Sequence, residues 1–160
     1  CRLLRSARET MMKNIILVDI DHTIADAFWR DPMIGVASWD LYHAESINDD
    51  PAHDMVHFIR TLIANTCFEF YGLTSRPEKF RNLTTQWLIK NKIGFDDLLM
   101  RPNDDFRPAG DVKLTLCEKR FGVEWRDKVL MMIDDNDKVI ESFKGEGITC
   151  LQVFNVRGNK

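Results

Sequence analysis

The stretch Ile15-Ile16-Leu17-Val18-Asp19-Ile20-Asp21-His22-Thr23 sets four consecutive apolar residues before two acids two positions apart. A short unbroken apolar run suits a strand covered on both faces, and such strands belong to parallel sheets flanked by helices. A second run of this kind, Val129-Leu130-Met131-Met132-Ile133, also ends on two acids, Asp134-Asp135. It is the most apolar run of the chain and is predicted to be a central strand. Between the two runs the spacing alternates. Pro51 opens a helical pattern through Met55, Phe58, Ile59, Leu62 and Ile63, and Cys67 to Leu73 reads as a strand. Phe80, Leu83, Trp87 and Leu88 mark a second helix, and Leu98-Leu99-Met100 a short strand. Leu114, Cys117 and Phe121 lie along a third helix. Val139, Ile140 and Phe143 form a fourth before a last strand over 148–154. The alternation predicts an α/β fold: a three-layer, Rossmann-like parallel sheet with helices on both faces.

One stretch breaks the rhythm. Residues 25–50 are long for a connection and hold Phe28, Trp29, Trp39, Tyr42 and His43, which predicts a small cap or lid rather than disorder. Trp39, Trp87 and Trp125 are read as packing residues, and His43, His53 and His57 show no ligand-like spacing. Residues 1–13, with Arg2, Arg5, Arg8 and Lys13, carry no apolar repeat and are expected to be a non-core N-terminal extension, with Met11-Met12 a possible natural start. Residues 14–157 then form one domain, in keeping with 160 residues in all. Lys+Arg 22 against Asp+Glu 25 gives a net charge of −3, which argues against binding nucleic acid through overall charge but leaves room for a local basic rim. No apolar run is long enough to cross a bilayer. Cys1, Cys67, Cys117 and Cys150 lack CxxC or His spacing and are expected to be reduced thiols in a cytoplasm.

In a parallel α/β sheet, ligands gather beyond the carboxyl ends of the strands. Asp19, Asp21 and Thr23 follow the first strand, Thr74, Ser75 and Arg76 the second, and Asp134 and Asp135 the fourth, while Lys113 opens the third helix. Four carboxylates in one crevice raise one another's pKa, and a single ammonium is too little counter-charge. An all-oxygen set selects a hard divalent ion such as Mg²⁺. That ion with Lys113, Thr74 and backbone N–H groups suits a tetrahedral oxyanion, phosphate. Asp19 and Asp21 share a face of an extended strand end. One can attack phosphorus while the other gives a proton to the leaving oxygen and takes one from water.

With these residues assembled, the chain resembles the haloacid dehalogenase (HAD) superfamily of phosphohydrolases. Four motifs match in order: Asp19-Ile20-Asp21-His22-Thr23, Thr74-Ser75-Arg76, Lys113 and Asp134-Asp135. The resemblance implies a HAD-like sheet, Asp19 as nucleophile, Asp21 as general acid/base, and Thr74 with Lys113 on the phosphate. It also implies Mg²⁺ on the Asp19 carboxylate, the Asp21 carbonyl and Asp134, with Asp135 close by. Trp39-Asp40-Leu41-Tyr42, Leu73 to Pro77 and Met100 to Pro108 are similar to the 3′-phosphatase domain of bacteriophage polynucleotide kinases. That closer likeness makes Arg76, Arg101 and Arg107 candidates to face substrate phosphate. Position 22 is His where the superfamily often has Gly. No GxxxxGK[ST] is present, so only the phosphatase reaction carries over and a kinase would be a separate partner.

The resulting expectation is a Mg²⁺-dependent phosphomonoesterase that removes a 3′-phosphate from DNA or RNA ends in repair. Its setting would be the cytoplasm, the host's if phage-encoded, with no membrane contact. The alternative substrate is a nucleoside monophosphate, as for a 5′-nucleotidase. A receiver-type phosphoacceptor domain shares the sheet and acids but has its acidic pair early and its lysine late, the reverse of the order here.

Overall fold

The computed structural model describes residues 13–154. In chain order its elements are β1 (Ile15–Val18), β2 (Ala25–Asp26), α1 (Trp39–Ala44), β3 (Asp50–Pro51), α2 (His53–Asn65), β4 (Glu69–Pro77) and α3 (Arg81–Lys90). There follow β5 (Asp97–Arg101), α4 (Ala109–Phe121), α5 (Trp125–Lys128), β6 (Val129–Asp134), α6 (Asp137–Gly145) and β7 (Thr149–Gln152). Five strands form a parallel sheet in the order β5-β4-β1-β6-β7.

Successive side chains of a strand point to opposite faces, and β1 feeds both layers of the core. Ile16 and Val18 pack with Val56 and Ile59 of α2 and Trp87 and Leu88 of α3. Ile15 and Leu17 pack with Cys117 and Phe121 of α4, Trp125 of α5 and Phe143 of α6. The result is the expected three-layer α/β fold. β6 is an interior strand as expected, paired with β1 on one side and β7 on the other, and β1 is the middle strand of the five. All four residues of β1 are buried, whereas Leu130 and Met131 of β6 are only partly covered.

The strand expected to end at Leu73 runs on to Pro77, because the chain stays extended through Thr74-Ser75-Arg76 beside β5. Residues 25–50 contain α1 and two 3₁₀ turns, Phe28–Met33 and Glu45–Asn48. Antiparallel pairing of β2 with β3, Ala25 opposite Pro51, brings the ends of this segment together. Trp87 and Trp125 are buried as expected, but Trp39 is 61% exposed and packs into neither core layer. Cys117 and Cys150 are free. The N-terminal extension lies, but for Lys13, outside the described residues. No helix among them is long and apolar enough to cross a membrane.

Gly72 shows how closely β4 is approached. A Cβ there would stand 2.8 Å from Leu98 Cδ1 and 2.9 Å from Phe95 Cδ2. Gly72→Val is expected to cost about 1–3 kcal/mol through overpacking. The check is a lower urea midpoint at unchanged slope.

Candidate active site

The chain leaves β1 in a tight turn. Asp19 N–H donates to the Ile133 carbonyl at 2.9 Å, and the N–H groups of Thr23, Ile24 and Ala25 all reach the Ile20 carbonyl, at 3.3, 3.0 and 2.8 Å. His22 sits in this turn at φ 59°, in the left-handed region where a glycine is unstrained. The preference of the resembled superfamily for Gly at this position thus has a backbone cause.

Carboxylate oxygens of Asp19, Asp134 and Asp135 lie within 4.8 Å of one another. Asp19 and Asp134 are buried, and Lys113 Nζ lies 2.6 Å from Asp19 Oδ1 and 2.6 Å from Asp134 Oδ2. Lys113 stands one turn inside α4 rather than at its opening. Thr23 Oγ1 lies 3.3 Å from Asp19 Oδ2 and 3.4 Å from Asp135 Oδ1, and Asn136 N–H donates to Asp134 Oδ1 at 2.9 Å. Burial pushes the Asp19 carboxyl well above its usual range; Lys113 opposes the shift, while Asp134 and Asp135 add to it. Burial, then the Asp134 charge, lifts Asp135 to about 6. Burial works against the Lys113 ammonium, but Asp134 and Asp19 outweigh it and hold the group charged. Three close carboxylates and one ammonium leave an excess of negative charge on an all-oxygen donor set. Those residues fit a hard divalent cation.

The Asp21 carboxylate does not join this cluster. Arg76 Nε lies 3.2 and 3.0 Å from its two oxygens, and Arg76 Nη2 and Arg30 Nη2 both reach Oδ1 at 2.7 Å. Burial alone would raise this carboxyl, but the charge and hydrogen bonds of Arg76, then Arg30, hold it far below the usual carboxylate range. Of the expected metal contacts of Asp21, only the main-chain carbonyl is left free of this network. Both guanidinium groups are fully buried and share Asp49, whose Oδ2 accepts from Arg30 Nη2 at 2.6 Å and from Arg76 Nη2 at 3.1 Å. Asp49 Oδ1 accepts from Arg30 Nε at 2.7 Å and Trp29 Nε1 at 2.9 Å. Burial raises the Asp49 carboxyl, yet Arg30 is held charged more firmly than an ordinary arginine. With two guanidinium groups on it, the carboxylate is the form this network requires. The Arg30 guanidinium also lies 4.4 Å from the centre of the Tyr42 ring.

The remaining expected residues are arranged around this pair of clusters. Thr74 is buried, and its Oγ1 accepts the Arg76 N–H at 3.2 Å. Ser75 Oγ and His43 Nδ1 are buried with no hydrogen-bond partner among the described residues. Arg76, expected to face substrate phosphate, instead forks onto Asp21 and Asp49. Arg101 likewise turns inward: Nε donates to the Ser75 carbonyl at 3.1 Å, and Nη1 to the carbonyls of Asp105 and Arg107, each at 2.8 Å. Arg107 pairs with Asp105 at 2.6 Å on the surface. Sequence reasoning passed over Arg30 and Asp49. Their one signal was that charged residues stand inside an otherwise aromatic segment. His43, which has no ligand-like spacing, packs its ring 5.6 Å from Phe80, and burial lowers it to about 4, which keeps it neutral.

Known proteins resemble this chain in family and in fold. The family model of the polynucleotide kinase PNKP phosphatase domain matches residues 13–157. No curated protein matches the chain. Among solved structures, a chain of the Pnkp1/Rnl/Hen1 RNA repair complex is similar at TM-score 0.76 and 21% identity, over 94% of this chain and 45% of that one. L-2-haloacid dehalogenase from Xanthobacter autotrophicus, with chloropropionic acid covalently bound, is similar at TM-score 0.62 and 12% identity, over 89% of this chain and 78% of that one. A haloacid dehalogenase-like hydrolase from Streptococcus pneumoniae gives 0.61 and 13%, over 89% and 85%. At these identities the likeness speaks for the fold, and the chain spans less than half of the repair-complex chain.

Proposed function

The chain belongs to the family of the polynucleotide kinase PNKP phosphatase domain, and from that premise we propose that it removes a 3′-phosphate from polynucleotide ends through an aspartyl-phosphate on Asp19. The observation that carries the reading is the buried meeting of Asp19, Asp134 and Lys113 from β1, β6 and α4. An Asp19 oxygen attacks phosphorus, the ester P–O bond breaks, and the leaving oxygen takes a proton from Asp21; because Arg76 and Arg30 favour the ionised carboxylate in the free protein, Asp21 has to take up that proton as the negative charge of the substrate phosphate enters the site. Water then attacks the phosphorus of the acyl phosphate and yields its proton to Asp21, and the bond to Asp19 breaks to release phosphate. Asp21 ends each cycle as it began, and Arg76 with Arg30 keeps its carboxyl oriented throughout. Asp19, Asp134, Asp135 and the Asp21 carbonyl would hold Mg²⁺, which supplies charge neutralisation for the transferring phosphoryl group. Thr74, Ser75 and Lys113 would contact that group.

Support for a polynucleotide rests on the family and on the modest size of the 25–50 segment, which serves as a small cap and leaves the cleft accessible to a chain end. The arginines lend less support than their number implied, because Arg76 and Arg101 are engaged within the protein. The likeness to a chain of an RNA repair complex supports a role in end repair. Rates on a 3′-phosphorylated oligonucleotide, a 5′-phosphorylated one, and 3′- and 5′-mononucleotides test the substrate. Preference for the first is expected, and preference for 5′-mononucleotides would replace this reading with a nucleotidase.

Asp21→Asn tests the division of labour. Because this carboxylate stands outside the Asp19–Asp134–Asp135 cluster, turnover is expected to fall about 10²–10⁴-fold while Mg²⁺ affinity changes little. Calorimetry showing lost affinity would contradict the assigned role.

A further inference from the structure

We propose that Trp39 and Phe106 form a stacking site for the last unpaired bases of a 3′-phosphorylated nucleic-acid strand, an inference that rests on the polynucleotide reading above. Both side chains are large and exposed, Trp39 at 61% and Phe106 at 89%. A solitary exposed aromatic needs no explanation, but these two are held on rigid supports.

The Trp39 indole lies 5.9 Å from the His43 ring at 24° and meets the edge of Tyr42 at 5.4 Å. The Tyr42 ring in turn carries the Arg30 guanidinium, which grips Asp21. Phe106 is fixed from its backbone. Arg101 Nη1 binds the carbonyl before it and the carbonyl after it, while Arg101 Nε ties the same loop to the Ser75 carbonyl of the phosphate-binding motif. Asp105 Oδ1 accepts the Arg107 N–H at 3.1 Å and tightens the bend further. The loop is thus stapled at both sides of a residue whose ring contacts little of the protein.

Lys79 joins the two supports. Its Nζ reaches Asp40, next to Trp39, at 2.6 Å, and its N–H donates to Asn103 Oδ1 of the Phe106 loop at 2.8 Å. Lys79 and Phe106 follow the carboxyl ends of β4 and β5, on the edge where Asp19 and Thr74 stand, and the Asp40–Lys79 pair ties the Trp39 helix to them. A phosphoester that places its phosphorus at Asp19 must carry the rest of its chain out over this edge. The two aromatic faces are set among the ion pairs Asp40–Lys79 and Asp105–Arg107 rather than in one continuous apolar patch. Flat π-faces separated by charge suit successive bases of a single strand, since every base offers a face and the backbone between them stays solvated. Preorganised rings lose little freedom on binding.

The test compares a single-stranded 3′-phosphorylated oligonucleotide with the same strand carrying abasic sugars at its last two positions. Wild-type enzyme is expected to favour the base-bearing strand about 5- to 150-fold per base in kcat/KM, through KM. Trp39→Ala with Phe106→Ala is expected to erase that preference, and Trp39→Phe to retain most of it. A wild-type preference that survives in the double variant, or no preference in the wild type, overturns the stacking site and leaves these faces to a protein partner. Hydrolysis of glycerol 2-phosphate with no turnover of either strand overturns the polynucleotide reading and the stacking site together.

Discussion

Asp19→Asn is expected to abolish phosphomonoester hydrolysis, with kcat lower by a factor on the order of 10⁴–10⁶, while the protein stays folded. The amide is isosteric and cannot form a stable acyl phosphate. Its stability follows from the electrostatics of the crevice. Burial and the neighbouring Asp134 and Asp135 raise the Asp19 carboxyl above its unfolded value, so keeping it ionised opposes folding as pH rises through the carboxylate range. Lys113 lessens that opposition and retains Asp134 as a partner at 2.6 Å in the variant. The melting temperature without added metal is therefore expected to hold or rise. Calorimetry and a phosphate-release assay check both halves, and a folded variant with normal turnover refutes the mechanism.

Asp49→Ala is expected to be as damaging by another route. The Asp49 carboxylate accepts four hydrogen bonds, two from Arg30 and one each from Arg76 and Trp29, in a fully buried position. Its removal leaves two buried guanidinium groups with the single carboxylate of Asp21 between them. Breaking a buried pair from one side costs about 3–5 kcal/mol, because the stranded charge cannot be rehydrated. Asp21 is oriented by the same two arginines, so turnover is expected to fall with stability. Asp49→Asn, which keeps the acceptor oxygen, is expected to lose less of each. Urea midpoints paired with kcat for the two variants supply the measurement; an Asp49→Ala protein as stable and active as the parent would show that the network is dispensable.

What could be read from the sequence divides along physical lines. The apolar runs at 15–18 and 129–133 have a periodic signature, and acids placed directly after them must stand at the carboxyl edge of the sheet. That logic brought Asp19, Asp134 and Lys113 together although 94 residues separate Asp19 from Lys113. It could not give the direction in which Arg76 points, since a guanidinium at a strand end reaches outward to a ligand or inward to a carboxylate equally well. The partners that decide the matter, Arg30 and Asp49, lie in a segment with no helical or strand period. They meet only because the β2–β3 pairing folds that segment back on itself. Trp39 departs from the packing expectation for a related reason: tryptophan is buried on average, but α1 is a short helix outside both core layers and leaves one face uncovered.

The most direct measurement is rapid acid quenching of the enzyme during turnover of a 3′-phosphorylated oligonucleotide with Mg²⁺, followed by mass spectrometry of its peptides. A phosphoryl group on Asp19, labile to hydroxylamine, is the predicted result. Steady turnover with that side chain unmodified, or with the label on a different residue, would contradict it.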